Sequence, residues 1–291
     1  MTEVADPLVT DTSGRSRPTG SHRRSREELR EMLVSAGVDI LLEEGLGSGA
    51  GHLTFKRVFE WLEQHTGVRV TNASVIGRIW DNQAEYQTDV LVAIASTDGS
   101  EVLESVFRAL QPLLARFDRT TVEGRWAALR EMARVGGAAH VDLLANSTRW
   151  QRWVGVWALV MSGGGSDGGP AGPVADALRR GSDAVTQRFE RAYERMLSSF
   201  GFRLRAPLTL RQLTTATGAL AEGCALRYGV DPASTRRIRR PTGPGGAEQE
   251  WTLFSVGVEA LVRAFVEIDP DWDPAGPASQ RRGDHGPREW S

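Results

Sequence analysis

The sequence has a single cysteine, Cys224, and no long hydrophobic run. One cysteine excludes an intrachain disulfide, and such scarcity is typical of proteins in a reducing compartment. The longest apolar run, Trp153–Met161, is far shorter than the ~20 residues that cross a bilayer. The N-terminal residues have no apolar core that would mark a signal peptide. We therefore expect a soluble, cytoplasmic protein without a membrane segment.

An excess of one charge is also lacking, because 35 basic residues face 37 acidic ones and the formal net charge is -2. A chain of this charge does not coat nucleic acid by electrostatics alone, so any DNA binding requires a locally basic face. Lys56 is the only lysine. This skew toward arginine is typical of GC-rich coding, and we therefore take no evidence for DNA binding from the abundance of arginine.

The chain has 291 residues, which is long enough for two domains, and its hydrophobic content of 40% predicts that most of it folds. Residues 1–26 lack periodicity and end in the basic stretch Arg15–Arg26, while residues 270–291 are rich in Pro and Gly. We interpret both ends as disordered tails. For the N-terminal tail an alternative stays open, namely a flexible arm that follows phosphates or enters a minor groove.

Between the tails, apolar residues recur at helical spacing, and no alternating pattern typical of strands is present. The first helix carries Leu29, Leu33, Ala36 and Ile40 at i, i+4, i+7 and i+11, and the run Gly45–Gly51 ends it. Later helices are predicted at about 84–96, 101–117, 122–144, 147–161, 172–200, 208–228 and 250–268. The sequence therefore predicts an all-α protein.

Residues 53–80 have the pattern of two short helices joined by a turn. Thr54 is suited to cap the first helix and Gly67 to end it. The apolar stripe of this helix consists of Phe55, Val58, Phe59 and Leu62. A second cap follows at Thr71 or Asn72. Two helices joined by a short turn with glycine are typical of the helix-turn-helix, whose second helix enters the major groove of DNA.

The second helix is expected to extend to residue 80 and to bury one face. The residues predicted to be buried are Val75, Ile76, Ile79 and Trp80, and those predicted to be exposed are Ala73, Ser74, Gly77 and Arg78. Small and polar side chains let a helix approach base edges, and the fork of Arg78 fits guanine or phosphate. An alternative stays open, because any helical protein contains hairpins packed by such stripes.

The stretch 29–94 resembles the N-terminal domain of the TetR family of transcription regulators. Thr54-Phe55 opens the first helix where the family has Thr-Val, and Gly67-Val68 matches the family's turn. Ile76–Trp80 takes the place of Leu-Tyr-x-x-Phe, and Asn82–Tyr86 matches the Ser/Asn-Lys-Glu-x-Leu segment. The resemblance implies a DNA-binding domain over residues 27–95 and a larger helical domain over 96–269 that binds an effector and dimerises.

The sequence departs from the family pattern at positions that usually contact DNA. The first helix or its turn is about four residues longer, Gly77 replaces a tyrosine that contacts phosphate, and Gln83 replaces a lysine used on the backbone. Other groups must therefore anchor the DNA, and Lys56, Arg57 and Arg69 are the candidates. The full set of predicted DNA-binding residues is Thr54, Lys56, Arg57, Arg69, Thr71, Asn72, Ala73, Ser74, Gly77 and Arg78.

The two last predicted helices, 208–228 and 250–268, are the candidates for a homodimer interface. The second of them has a large apolar stripe and, on another face, the small residues Val256, Gly257, Ala260 and Ala264. The helix 208–228 is also rich in small residues, which let helices approach closely. Helices that are apolar on two sides pack on two sides, and a helix pair suits a two-fold dimer. The alternative is an ordinary intrachain core.

Large aromatic residues and methionines are concentrated in the middle helices, where they fit the lining of a cavity for a small apolar effector. The predicted pocket residues are Trp126, Met132, His140, Trp150, Trp153, Trp157 and Met161. The alternative is that they form plain core.

We expect no enzyme, because the sequence has no nucleophile elbow, no zinc-spaced set of Cys and His and no kinase signature. Gly163–Gly168 fits the glycine pattern of a dinucleotide site, but Pro170 and Pro173 follow and no parallel sheet is predicted around it. No catalytic residue, metal site or cofactor is therefore predicted. The leading hypothesis is a DNA-binding regulator, a repressor relieved by a small apolar ligand. The alternatives are a helical protein-interaction module and a helical enzyme without a known motif.

Overall fold

A computed structural model describes residues 25–47, 49–96, 99–114, 116–163, 172–242 and 247–274. This part of the chain is mostly helical, as the apolar periodicity predicts. Its helices are α1 (Arg26–Glu44), α2 (Phe55–Thr66), α3 (Asn72–Val75), α4 (Gln83–Ala95), α5 (Ser100–Leu114), α6 (Val122–Asn146), α7 (Thr148–Ser162), α8 (Pro173–Ser199), α9 (Leu210–Val230) and α10 (Leu253–Phe265). Its strands are β1 (Phe202–Leu204), β2 (Ile238–Pro241), β3 (Glu248–Trp251) and β4 (Val266–Ile268).

Side-chain caps fix the starts of the N-terminal helices. The hydroxyl of Ser25 accepts a hydrogen bond from the amide of Glu28 at 3.1 Å, and the Glu28 carboxylate accepts one from the Ser25 amide at 2.7 Å. Together they form a capping box on α1. The predicted cap of α2 is confirmed, because the Thr54 hydroxyl accepts a hydrogen bond from the amide of Arg57 at 3.3 Å. Asn82 caps α4 in the same way through the amide of Glu85.

The first hydrophobic cluster joins α1, α2 and α4 to two helices from later in the chain. Leu33, Ile40 and Val58 are fully buried in it, and Val156 of α7 and Leu178 of α8 complete it. The N-terminal helices therefore pack directly against α7 and α8.

The remaining helices form a bundle with α6 at its centre, packed against α5, α9 and α10. Glycine allows the closest of these approaches, because a Cβ on Gly137 of α6 would lie 2.7 Å from the Ser255 hydroxyl of α10. The core of the bundle between these helices is apolar and includes Leu129, Met132 and Val262.

Two short antiparallel pairs correct the prediction that strands are absent: β1 pairs with β4 and β2 with β3. The single helix predicted over 250–268 is also wrong at both ends. The Thr252 hydroxyl caps α10 by accepting a hydrogen bond from the amide of Ser255 at 3.0 Å. Trp251 therefore lies before the helix, as the last residue of β3. At the other end, Val266–Ile268 forms a strand that pairs with β1. The β-branched side chains of Val266 and Ile268 favour a strand, and helical periodicity does not reveal this preference.

None of the helices in the described ranges combines the length and the apolarity needed to cross a membrane. The predicted tails lie largely outside the described residues, as does most of Gly163–Gly168. Residues 270–274 are described, and the ring of Trp272 lies 5.0 Å from the guanidinium of Arg125.

Candidate nucleic-acid interface and ligand cavity

An aromatic cluster holds α2 and the following turn against α4. The ring centre of Phe55 lies 6.3 Å from that of Trp80 and 5.2 Å from that of Tyr86. Trp80 meets Tyr86 edge to face at 4.9 Å. The Tyr86 hydroxyl donates to the carbonyl of Leu33 at 2.8 Å, which ties the cluster to α1. The base of the predicted DNA-binding unit is therefore an aromatic core with fixed geometry.

A polar bridge on Asp89 holds the same turn from its other side. The Trp80 indole donates to the Asp89 carboxylate at 2.6 Å, and the Arg30 guanidinium donates to the same oxygen at 2.8 Å. The turn that carries Trp80 is thereby linked to α1 and α4 through one carboxylate. The sequence analysis missed Arg30 and Asp89, because the bridge joins residues 59 positions apart.

The predicted second helix is shorter than expected, because α3 ends at Val75 after a single turn. Gly77 has a left-handed φ of 71°, and its amide donates to the carbonyl of Trp80 at 2.9 Å. This tight turn turns Ile76 outward, and 45% of Ile76 is exposed, so its predicted burial is wrong. The extended backbone of Ile76 ends α3, and the glycine after it adopts the left-handed backbone that a helix interior does not use.

We call the residues Thr71–Arg78 the outer segment. Within it Thr71, Asn72, Ala73, Gly77 and Arg78 are exposed, and Ser74 is half-buried. The Ser74 hydroxyl donates to the carbonyl of Thr71 at 2.6 Å. The inner anchors are the buried Val75 and Trp80, which is 4% exposed. The outer segment is thus presented to solvent from a packed base.

The basic residues around the outer segment differ in their partners. The Lys56 amine lies 3.9 Å from Glu60, and the Arg69 guanidinium lies 2.6 Å from Glu63. Arg57 donates to Glu44, and this hydrogen bond raises the pKa of Arg57. In the described part of the chain, no carboxylate lies within ion-pair distance of Arg78. Of the basic residues predicted to contact DNA, Arg78 is therefore the one available without breaking an ion pair with a described residue.

Two of the cavities between these helices share part of their lining. The first has a volume of about 70 Å³ and an almost entirely apolar lining, which includes Met132 and His140. The second has a volume of about 330 Å³ and is lined by His140, Trp150, Trp153 and Trp157. We call the second one the tryptophan cavity. Five of the seven predicted pocket residues thus line one or both cavities.

The other two predicted pocket residues lie elsewhere. The ring of Trp126 packs edge to face on Phe202 at 4.8 Å and beneath the guanidinium of Arg263. Met161 is 55% exposed near the end of α7. Both were predicted from residue type alone, and neither lines the two cavities described above.

Residues of α8 and α9 that the sequence analysis missed complete the cavity walls. Phe189 and Tyr193 line both cavities, and so does Thr217. The spacing of Phe189 and Tyr193 at i and i+4 was a usable signal, because it places both rings on one face of α8.

Burial shifts the titration of the groups in these walls. The ring of His140 stacks on Phe189 at 5.3 Å, and loss of solvation lowers its pKa to about 4. Burial raises the pKa of Tyr193 to about 12. Glu222 lies at the mouth of the tryptophan cavity, where partial desolvation raises the pKa of its carboxyl. His140 is therefore neutral at pH 7.

Two residues of the tryptophan cavity have buried polar atoms without a hydrogen-bond partner among the described residues. They are the indole nitrogen of Trp153 and the hydroxyl of Thr214. An unpaired buried polar group costs about 1–3 kcal/mol.

Helix α7 connects the tryptophan cavity to the N-terminal helices. Arg152 donates to the carbonyl of Leu41 at 2.9 Å and to that of Leu42 at 3.1 Å. The last turn of α1 has no basic residue of its own. A guanidinium there adds hydrogen bonds to the last carbonyls of α1 and complements the negative end of the helix dipole.

The predicted dimer helices have exposed apolar residues that no described part of the chain covers. On α10, Leu253, Ala260 and Ala264 are exposed, and on α9 Ala219 and Leu226 are exposed. The two helices pack against each other so closely that a Cβ on Gly257 would overlap the side chain of Leu220. We call these five exposed apolar residues the small-residue face.

Comparison of this chain with known protein families, curated proteins and solved structures gives no match. In the described ranges, no group of three His, Cys, Asp or Glu side chains is placed to hold a metal ion.

Proposed function

We propose that this protein is a sequence-specific DNA-binding transcription regulator, a repressor that a small ligand releases from DNA. The observation that carries the proposal is the outer segment, whose Arg78 is exposed and lacks an acidic partner among the described residues while the buried Trp80 holds its base. The similarity of residues 29–94 to the TetR family supports the same function.

The short α3 defines how the segment would meet DNA. Only one helical turn is available, so the contacts would come from Asn72 and Ala73 on that turn and from Arg78 on the turn after it. Because Gly77 has no side chain, the backbone beside Arg78 can approach the groove closely. The planar fork of Arg78 matches the O6 and N7 atoms of guanine.

The paired cations on α2 and the following turn would hold the phosphates. The Lys56 pair with Glu60 and the Arg69 pair with Glu63 are exposed. Such surface pairs contribute about 0–1 kcal/mol, so the exchange of a carboxylate for a phosphate costs little. Phosphate contacts set the position of the protein on DNA without specifying sequence.

Dimerisation through the small-residue face would supply the second half of the contact. A two-fold dimer places two outer segments on one face of the duplex, about one helical turn of 34 Å apart or a multiple of it. Sedimentation should show a dimer at micromolar concentration, and Ala260→Glu should shift it toward the monomer, because it would bury a charge in the interface.

Ligand release of DNA would pass through α7. The tryptophans of this helix line the cavity and its Arg152 holds the end of α1. A ligand that prefers one position of α7 would therefore change the geometry of the N-terminal helices. Coupling requires that the ligand binds the two geometries with different affinities.

The direct test is capture and sequencing of genomic fragments by the purified protein. We expect the wild-type protein to enrich a small set of fragments that share a two-fold motif. Arg78→Ala should lose or broaden this enrichment, whereas Arg108→Ala, an exposed arginine on α5, should retain it. Enrichment by neither the wild type nor the control would refute the proposed function and favour an interaction module or an enzyme.

A further inference from the structure

The described lining of the tryptophan cavity contains a negative charge and no positive one. Among the described residues that line it, Glu222 provides a carboxylate, and no lysine or arginine is present. His140 in its wall is neutral at pH 7, since burial lowers its pKa to about 4. An anionic ligand would therefore find no counter-charge in this lining and would be repelled by Glu222.

The aromatic surface of the cavity has a matching electrostatic character. Three indoles, those of Trp150, Trp153 and Trp157, belong to the lining. The face of an indole carries negative potential and attracts organic cations more strongly than the other aromatic side chains do. Trp157 is 48% exposed and lines the same cavity as Glu222, so a cation entering from solvent would meet both at the opening.

We propose that the tryptophan cavity binds an organic cation that has a quaternary or protonated nitrogen and an apolar body. The indoles and Glu222 would hold the cationic end. A role of this ligand as effector rests on the proposed function, whereas its binding rests on the cavity alone. The test is therefore performed without DNA, and its outcome is independent of DNA binding.

Calorimetric titration of the full chain with three matched probes tests the proposal. Benzoylcholine carries the cation and the ester oxygen, 3,3-dimethylbutyl benzoate is its neutral isostere with carbon in place of nitrogen, and hippurate is an anion. We expect benzoylcholine to bind one site per chain about tenfold more tightly than the neutral ester. Hippurate should bind more weakly than both.

Two variants and one control localise the cation. Glu222→Gln and Trp157→Leu should each reduce the preference for the cation to about twofold. Both residues are exposed, so the folded state should survive, which far-UV circular dichroism checks. Glu194→Gln, an exposed carboxylate on α8 that does not line the cavity, should leave the preference unchanged.

Several results would overturn the proposal. They are equal or tighter binding of the neutral ester, tightest binding of hippurate, no binding of any probe, and a cation preference that survives in both cavity variants.

Discussion

The N-terminal helices and the helical bundle use the same kinds of residue in opposite ways. Around Trp80 the rings of Phe55 and Tyr86 fill the space between three helices, and the indole nitrogen donates to Asp89. Around Trp153 the indoles border a cavity of about 330 Å³, and the indole nitrogen has no partner among the described residues.

This difference indicates which region is built for fixed geometry and which for adaptation. A filled core has one packed state. A cavity lacks contacts that a bound molecule restores. The two regions meet at α7, which is the contact that the proposed release of DNA by a ligand would use.

The strongest expected effect separates two tryptophans of these regions. Trp80→Ala removes a buried ring and a hydrogen bond, and should lower the free energy of unfolding by about 3–5 kcal/mol. Trp157→Ala, at a position 48% exposed on the cavity mouth, should lower it by less than about 1 kcal/mol. Urea unfolding followed by circular dichroism measures both. Equal losses for the two variants would remove the contrast between a filled core and an open cavity.

The next effect is a dependence of stability on pH that arises from His140 of α6. The unfolded chain protonates His140 near pH 6.5, whereas burial delays this to about pH 4 in the folded state. Unfolding therefore takes up a proton between these pH values, and stability falls as the pH falls through this window, by about 3 kcal/mol in total.

A matched pair of variants isolates the contribution of His140. His140→Gln should flatten the slope of unfolding free energy between pH 6.5 and 4, although it lowers stability at pH 7. His52→Gln, an exposed histidine before α2, should keep the wild-type slope. Because the raised pKa of Glu222 contributes a slope of opposite sign, the comparison uses the difference between each variant and the wild type. An unchanged slope in His140→Gln would contradict the neutral buried ring.

A smaller effect probes the contact between the two regions. Arg152→Met keeps most of the side-chain length and removes the two hydrogen bonds to α1. It should lower the free energy of unfolding by about 1–2 kcal/mol. More specifically, it should reduce the factor by which a cavity ligand weakens DNA binding, with the affinity of the ligand in the absence of DNA nearly unchanged. Fluorescence anisotropy of labelled DNA with and without ligand measures this factor, and full coupling in the variant would exclude Arg152 from the route.

The helices and several caps were predictable from the sequence, because they depend on local patterns. The period of Leu29–Ile40 and the cap at Thr54 are examples, and both rest on residues within one or two turns of each other. The tryptophans of α7 were also predicted as part of a cavity wall, because large aromatic residues are concentrated on this helix.

The parts that the sequence could not predict depend on contacts between distant residues or on a local competition. The end of α3 was missed, because Ile76 and Ile79 continue the helical period while Gly77 opposes it. The strand Val266–Ile268 was missed since its partner lies 64 residues earlier, as the Arg203–Glu267 pair illustrates. The hydrogen bond from Arg152 to the Leu41 carbonyl was missed for the same reason, because donor and acceptor are 111 positions apart.

The central claim is that the outer segment recognises DNA sequence through Arg78, and binding to a randomised DNA library at several salt concentrations tests it most directly. The wild type should select a two-fold motif. Arg78→Ala should cost about 1–3 kcal/mol and relax one base position in each half-site. Lys56→Ala should weaken all sequences alike and reduce the salt slope by about one unit. A uniform loss in Arg78→Ala would make Arg78 a backbone contact, and a wild-type protein that selects no sequence would contradict the claim.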